Sequence, residues 1–306
     1  IENALNKMVD AWNGIEFEVK DYKTSGTYVI GGVEEIITLL DEHVVMSQAM
    51  QFSAYKAPFE KRIDEWSAKL NVTYEVIEEW LQVQRAWMSL QSIFASPDIN
   101  KQLPAEGKRF AGVDKMWRAT LAACQENPTV LGFCERENLI EDFKEANASL
   151  NMVAKKLADY LDKKRQAFPR FFFLANEELL MILSQTADVQ AVQHHINKCF
   201  ENVVRLTFAD DNMITHMHDS TGETLEMSRV VNPNKSSVEF WLDEVEQVMV
   251  QTVRDYLERA FADYPYVNPG KERTKWMLDW PGQAVLTGSQ LYWTKEIEDA
   301  FDAEGL

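Results

Sequence analysis

The chain has 306 residues, 46% of them hydrophobic, with nine Trp and sixteen Phe; this is enough apolar bulk for two or three packed units and excludes general disorder. A formal net charge of −18 opposes nucleic acid phosphates, anionic lipid and the acidic surface of a microtubule, so none of these is an expected direct partner. Cys124, Cys134 and Cys199 lack CxxC spacing and sit among apolar residues, which points to buried free thiols in a reducing, cytoplasmic compartment.

No apolar stretch approaches the roughly 20 residues of a membrane helix. The chain opens on Ile1 without a charged-then-apolar leader, which reads as a piece of a longer protein with no secretory signal. Residues 20–32, holding Ser25, Gly26, Gly31 and Gly32, read as a flexible loop. Helices are predicted over 33–50 and 59–70. From Val76 the apolar positions Val76, Trp80, Val83, Trp87, Leu90 and Phe94 alternate steps of four and three, which keeps one face against a partner helix. Thr73 suits the N-cap of this run, and Ser96-Pro97-Asp98 ends it.

A helix over 110–124 follows, then a longer run on Leu139, Phe143, Ala146, Leu150, Val153, Leu157 and Tyr160. Its last turn carries Lys163, Lys164 and Arg165, favourable beside helix-terminal carbonyls, and Phe168-Pro169 breaks it. Phe171-Phe172-Phe173-Leu174 has the length and composition of a short strand. Helices are expected over 177–185 and 189–201. Residues 203–208, 213–218 and 224–230 then alternate or run apolar between the turn clusters Asp210-Asp211-Asn212 and Ser220-Thr221-Gly222. They predict a small antiparallel meander that leans on a helix yet projects from the surface. A helix over 238–261 repeats Trp241, Val245, Val248 and Thr252. Residues 263–274, with Pro265, Pro269 and Gly270, read as a loose segment, and a last helix over 283–301 offers the seam Leu286, Gln290, Trp293, Ile297 and Phe301. The fold class that follows is mainly α, with elongated stacked helical bundles and a small antiparallel β-meander insert; heptad-spaced aromatics read as packing.

Signatures of chemistry are absent. Gly26 and Gly31 match the first two glycines of a phosphate loop, but Gly32 stands where its Lys belongs, and no GxGxxG or Gly-x-Ser-x-Gly occurs. His216 and His218 alternate on a predicted strand beside Asp219, with Asp210-Asp211 across the turn, yet no fourth ligand is specified. His194-His195 lies on a predicted helix, where adjacent residues face different ways. No acid stands alone in an apolar setting. The catalytic, cofactor-binding and metal-site assignments are therefore none.

The stretch from Phe168 through Leu180, FPRFFFLANEELL, resembles the signature inside the linker of dynein heavy chains, and it continues into Ile182-Leu183-Ser184-Gln185 as axonemal members do. Gln84-Arg85-Ala86-Trp87 leading to Ile93-Phe94, Phe110 with Val113-Asp114 and Trp117, Trp280-Pro281-Gly282-Gln283, and Trp293-Thr294 with Glu296 follow in the family's order. Ala175, Met181 and His194 depart from the usual Ser, acidic residue and Pro. The resemblance implies a non-catalytic lever between the dynein tail and the AAA+ ring of the same heavy chain. Such a lever bends and straightens over that ring to transmit ATP-driven force, in the cytoplasm and cytoskeleton, in a ciliary or flagellar axoneme. ATP and Mg would belong to the ring, with no cofactor in this segment. A static helical scaffold is the alternative. The expected divisions are an N-terminal helical bundle over 1–167, a short strand, helices and meander over 168–236, and a C-terminal helical part over 237–306. Phe168, Pro169 and Arg170 form the candidate hinge, because a stiff helix there meets a proline and a strand.

Overall fold

The computed structural model describes residues 1–184 and 188–304. The chain divides into two compact units, residues 1–158 and 159–306. Among the described residues there are twelve α-helices and five short strands, so the fold is mainly α with small antiparallel sheets.

The first unit contains α1 (Glu2–Trp12), β1 (Glu18–Asp21), β2 (Tyr28–Gly31), α2 (Val33–Gln51), α3 (Glu60–Phe94), α4 (Pro97–Gln102), α5 (Pro104–Glu126), α6 (Val130–Cys134) and the start of α7 (Leu139–Ala167). The four-three seam of α3 is its buried side, from Val76 through Phe94. Aromatic rings along that seam meet partners on other elements. Trp80 stacks on Phe143 of α7 at 5.3 Å, Trp87 on Trp117 of α5 at 5.4 Å, and Phe94 on Phe110 of α5 at 5.2 Å. The α5 partners run backwards as the α3 ones advance, so the two helices are antiparallel. Each such pair adds about 0.5–1.5 kcal/mol beyond its buried area.

Two expectations fail in this unit. The helices predicted at 59–70 and from 76 are one helix of 35 residues. Thr73 is buried within it and donates its hydroxyl to Lys69 O at 2.9 Å. A self-satisfied threonine interrupts neither the backbone ladder nor the apolar stripe, so nothing there starts a new helix. Residues 20–32 are largely a β-hairpin, with Glu18 opposite Gly31 and Asp21 opposite Tyr28. Only its tip is loop, where Gly26 takes φ +67°. Its strands are held by α3: Ile30 N donates to Gln84 Oε1 and Gln84 Nε2 donates to Ile30 O, both at 2.9 Å.

The second unit contains the end of α7, α8 (Asn176–Ser184), α9 (Ile196–Cys199), β3 (Arg205–Phe208), β4 (Ile214–His218), β5 (Thr224–Val231), α10 (Val238–Ala262), α11 (Arg273–Asp279) and α12 (Gly282–Glu304). The three strands form an antiparallel meander in chain order. It does lean on a helix, α10, where Ser228 N donates to Thr252 Oγ1 at 2.9 Å. It does not project, because Leu206, Ile214, Met217, Met227 and Val231 are all buried. The alternating face that predicted strands is the face that packs.

Phe171–Leu174 is not a strand. Pro169–Phe173 is a 3-10 turn, in which Phe171 and Leu174 point inward while Phe172 and Phe173 are exposed. A proline at the first position presets that turn, and eclipsed i, i+3 side chains split the apolar run in two. The helix predicted over 189–201 is a 3-10 turn, Val189–His195, followed by α9. Gln185, the predicted end of α8, lies outside the described residues. Part of the supposedly loose 263–274 stretch belongs to α11, whose Trp276 is fully buried against Tyr264, Ala260 and Ala284. The seam expected on α12 is also the wrong one: Leu286, Trp293 and Phe301 are exposed. The buried face is Ala284 and Gly288. A Cβ on Gly288 would stand 2.9 Å from Trp276 Cζ2, so the Trp276 ring selects the small-residue side of the helix, not the apolar one.

Candidate functional site

α7 runs 29 residues without a break, roughly 40 Å at 1.5 Å per residue. Phe168 N closes it on Lys164 O at 3.0 Å. Phe168 itself leaves in extended conformation, φ −135° and ψ 95°, as the following proline ring requires. The three candidate hinge residues then diverge. The Phe168 side chain is fully buried, edge-on to Phe171 at 5.0 Å and 6.1 Å from the Phe200 ring. Pro169 is exposed at the head of the 3-10 turn.

Arg170 is an anchor. Its Nη1 donates to Cys199 O at 3.0 Å, Nη2 lies 3.0 Å from Glu246 Oε1, and the guanidinium sits 5.0 Å from the Phe200 centroid. The preceding turn is tied as firmly. Arg165 Nη2 donates to Asn176 Oδ1 at 2.8 Å and to Leu174 O at 3.3 Å. Lys164 Nζ donates to Glu239 Oε1 at 2.5 Å, and Ser237 Oγ donates to the same oxygen at 2.7 Å. Burial pushes the Glu239 carboxyl up, but the hydrogen bonds from Lys164 and Ser237, with the lysine charge, outweigh it and leave its pKa below the ordinary value. Burial, with Glu239 adding to it, raises the Tyr160 phenol. Both sides of the Phe168–Pro169 break are thus fastened to α10, at Glu239 and, two turns on, at Glu246.

Sequence reasoning placed Lys164 at a helix terminus, as a partner for carbonyls, and missed Glu239 and Glu246. The available signal was Glu239 in the first turn of an apolar helix, where a carboxylate is favoured beside the free backbone N–H groups. It missed Gln84 and Gln193 as well. Gln193 Nε2 donates to Leu206 O at 2.5 Å and Leu206 N donates to Gln193 Oε1 at 3.0 Å, so each small sheet has one edge closed by a glutamine amide. The motif residues far apart in sequence meet in one place: Asp114 Oδ1 accepts from Trp87 Nε1 at 3.0 Å, and its other oxygen from Arg118 Nε at 2.7 Å.

The histidines are occupied by hydroxyls. His218 Nε2 lies 2.6 Å from Thr207 Oγ1, His218 Nδ1 2.9 Å from Thr224 Oγ1, and His216 Nδ1 2.9 Å from Thr215 Oγ1. Asp219 instead accepts from the backbone of Thr221 and Glu223. Among the described residues no group of three or more His, Cys, Asp or Glu side chains converges as a metal site requires. Burial raises all three thiols, Cys199 to about 11 and Cys124 to about 12, so they are protonated and unreactive at neutral pH. The junction is the end of a long helix held to its neighbours by charge-assisted bonds.

The family model for dynein heavy chain, N-terminal region 2, matches residues 1–260. Dynein axonemal heavy chain 1 of Mus musculus is 47% identical over 303 residues, covering 99% of this chain and 7% of that protein. The same heavy chain of Homo sapiens is 46% identical over 306 residues, covering 100% and 7%. Dynein axonemal heavy chain 12 of Rattus norvegicus is 38% identical over 310 residues, covering 100% and 10%. The chain therefore spans a tenth or less of the length of these relatives.

Proposed function

This chain belongs to the dynein heavy chain family, and from that membership we propose that it is the non-catalytic mechanical linker of an axonemal dynein motor. In this reading it bends and straightens over the AAA+ ring of its own heavy chain, between ring and tail, and passes on force for microtubule-based movement in a cilium or flagellum. ATP and Mg act in the ring. The observation that carries the reading is α7: a long unbroken helix whose exit, at Phe168–Arg170, is clamped to α10 by Lys164–Glu239 and Arg170–Glu246. A lever needs such stiffness, because a compliant rod absorbs displacement instead of passing it on. It also needs a discrete place to reorient, since close-packed blocks switch between arrangements and do not deform smoothly. We place that pivot at Phe168–Arg170, where bending has to release the Lys164–Glu239 or the Arg170–Glu246 pair to α10.

Moving such an element from almost wholly straight to almost wholly bent takes about 5.5 kcal/mol of differential interaction. Exposed ion pairs at roughly 0–1 kcal/mol each do not reach that singly. The test places one fluorescent label in residues 1–158 and one in residues 159–306 of the intact motor. Their separation is expected to change between the nucleotide-free and ATP-bound states. A constant separation while the far end of the segment still moves puts the pivot elsewhere. A constant separation with no movement at all identifies a static scaffold. The purified segment is expected to show no ATP turnover; turnover abolished by a point substitution in this chain would overturn its non-catalytic role.

A further inference from the structure

Steps of three and four place Gln283, Leu286, Gln290, Trp293, Ile297 and Phe301 on one stripe of α12. That stripe faces solvent: Leu286 is 67% and Trp293 65% exposed, and Ile297 and Phe301 are exposed with them. Four large apolar side chains in register on one helix face are what a partner helix covers, whereas singly scattered ones need no explanation. The stripe begins at a cavity. Gln283 is one wall of a hollow of about 330 Å³ in the second unit, floored by Phe200, Val203, Met217, Leu225, Met249 and Val253. Two of these are methionines, whose unbranched side chains re-pack around a guest.

The charge around this surface is predominantly negative. Glu201, Asp219 and Glu223 line the hollow; of its two bases, Arg170 is already paired with Glu246 and His218 is held by the Thr207 and Thr224 hydroxyls. Glu296 and Glu298 fall on the two margins of the stripe, and Glu304 at its end. An acidic helix is repelled there, as is a second copy of this chain with its charge of −18. We infer that the hollow and the α12 stripe together form a docking groove for a basic amphipathic helix. The guest presents apolar side chains at i, i+3 or i+4, and i+7, one of them seated in the hollow, with Lys or Arg on both flanks. Trp293, at the centre of the stripe, is the anchor.

The probe is a synthetic Leu/Lys peptide of roughly 18 residues, five helical turns, titrated into the chain beside its Leu/Glu counterpart. The Leu/Lys peptide is expected to shift Trp emission to the blue and protect it from acrylamide. Trp293→Phe should remove that signal. The paired change Leu286→Asp and Ile297→Asp, at exposed positions where the melting temperature should stay at the wild-type value, is expected to weaken binding at least tenfold. Leu225→Phe, which fills the hollow, should weaken it similarly. Glu298→Lys with Glu304→Lys should lower affinity and flatten its salt dependence. Equal binding of the Leu/Glu peptide, or an emission change that survives Trp293→Phe, overturns the inference. So does self-association that covers Trp293, which would assign the face to a second copy. The same Trp293 shift on zwitterionic vesicles, without peptide, would assign it to a lipid surface.

Discussion

A glutamine side chain carries the same donor and acceptor as a peptide group, and Gln84 spends both on Ile30, closing the edge of β2 as another strand would. Gln84→Glu sets a carboxylate oxygen against the Ile30 carbonyl, so one bond is lost and its acceptor is left facing like charge. The expected cost is about 1–3 kcal/mol, read as a lower denaturant midpoint at unchanged m-value. A polar pair elsewhere carries a pH dependence. Trp12 Nε1 donates to His43 Nδ1 at 2.9 Å; an indole only donates, so Nδ1 must be unprotonated. Burial lowers the His43 pKa from 6.5, with Glu42 opposing. A histidine held below its unfolded pKa contributes stability that is complete above pH 6.5 and is lost as pH falls through the folded value. Between about pH 7.5 and about pH 5.5 the wild type should lose more stability than His43→Gln does. His195 and His218 are also lowered, but they are common to both proteins and cancel in the difference.

Elements take their orientation from what lies beneath them. The more apolar stripe of α12 is outside, because Trp276 lies under Gly288 and Ala284 and admits only small residues there. Trp276 also donates its indole N–H to Ala260 O at 2.8 Å. Two tryptophans of similar appearance in the sequence therefore carry opposite expectations. Trp276→Ala empties a packed site and should cost about 3–5 kcal/mol. Trp293→Ala, at an exposed position, should stay within about 0.5 kcal/mol. Thermal unfolding of the two variants checks the pair; equal losses would mean that the seam chosen from the sequence was the buried one after all. On α3 the same reasoning explains continuity: the stripe through Leu70, Thr73 and Val76 is buried throughout, and one threonine in it does not stop a helix.

At the scale of the molecule the decisive feature is how a stiff rod is fastened where it ends. Lys164 and Glu239 are 17% and 5% exposed, so removing one partner strands a buried charge. Lys164→Met is expected to cost about 3–5 kcal/mol, while Lys164→Met with Glu239→Leu should recover much of the loss. In the linker reading proposed above, a motor readout should separate from stability: the double variant folds but lacks one of the two clamps, and the intact motor is expected to transmit less displacement. The acid limb follows from the same pair. Glu239 has its pKa held below 4.5, so its contribution is present above that pH and is lost as pH falls through the folded value. Glu239→Gln should flatten stability against pH in that range, as measured by urea midpoints.

The longest seams and the meander were legible in local period alone, whereas the period read on α12 named the exposed face. The four-three seams of α3 and α7 and the seam of α10 are the buried ones, the meander lies where alternation and turn chemistry put it, and the ordered motifs named the family later matched over residues 1–260. Period is a property of one segment, set by 3.6 residues per helical turn or 2 per strand. Whatever depends on a second segment lay beyond the reach of local pattern. The hairpin at 18–31 has its β2 edge completed by Gln84 of α3, and the turn at Phe171–Leu174 is held in place by Arg165 on the Leu174 carbonyl and by Arg170 on the distant Cys199 carbonyl. The α12 helix faces inward with its small residues because a buried ring leaves no room for large ones. A hydrophobic pattern says that a face wants cover; which face receives it is settled by shape, since dense packing has no tolerance for a side chain one methyl too large.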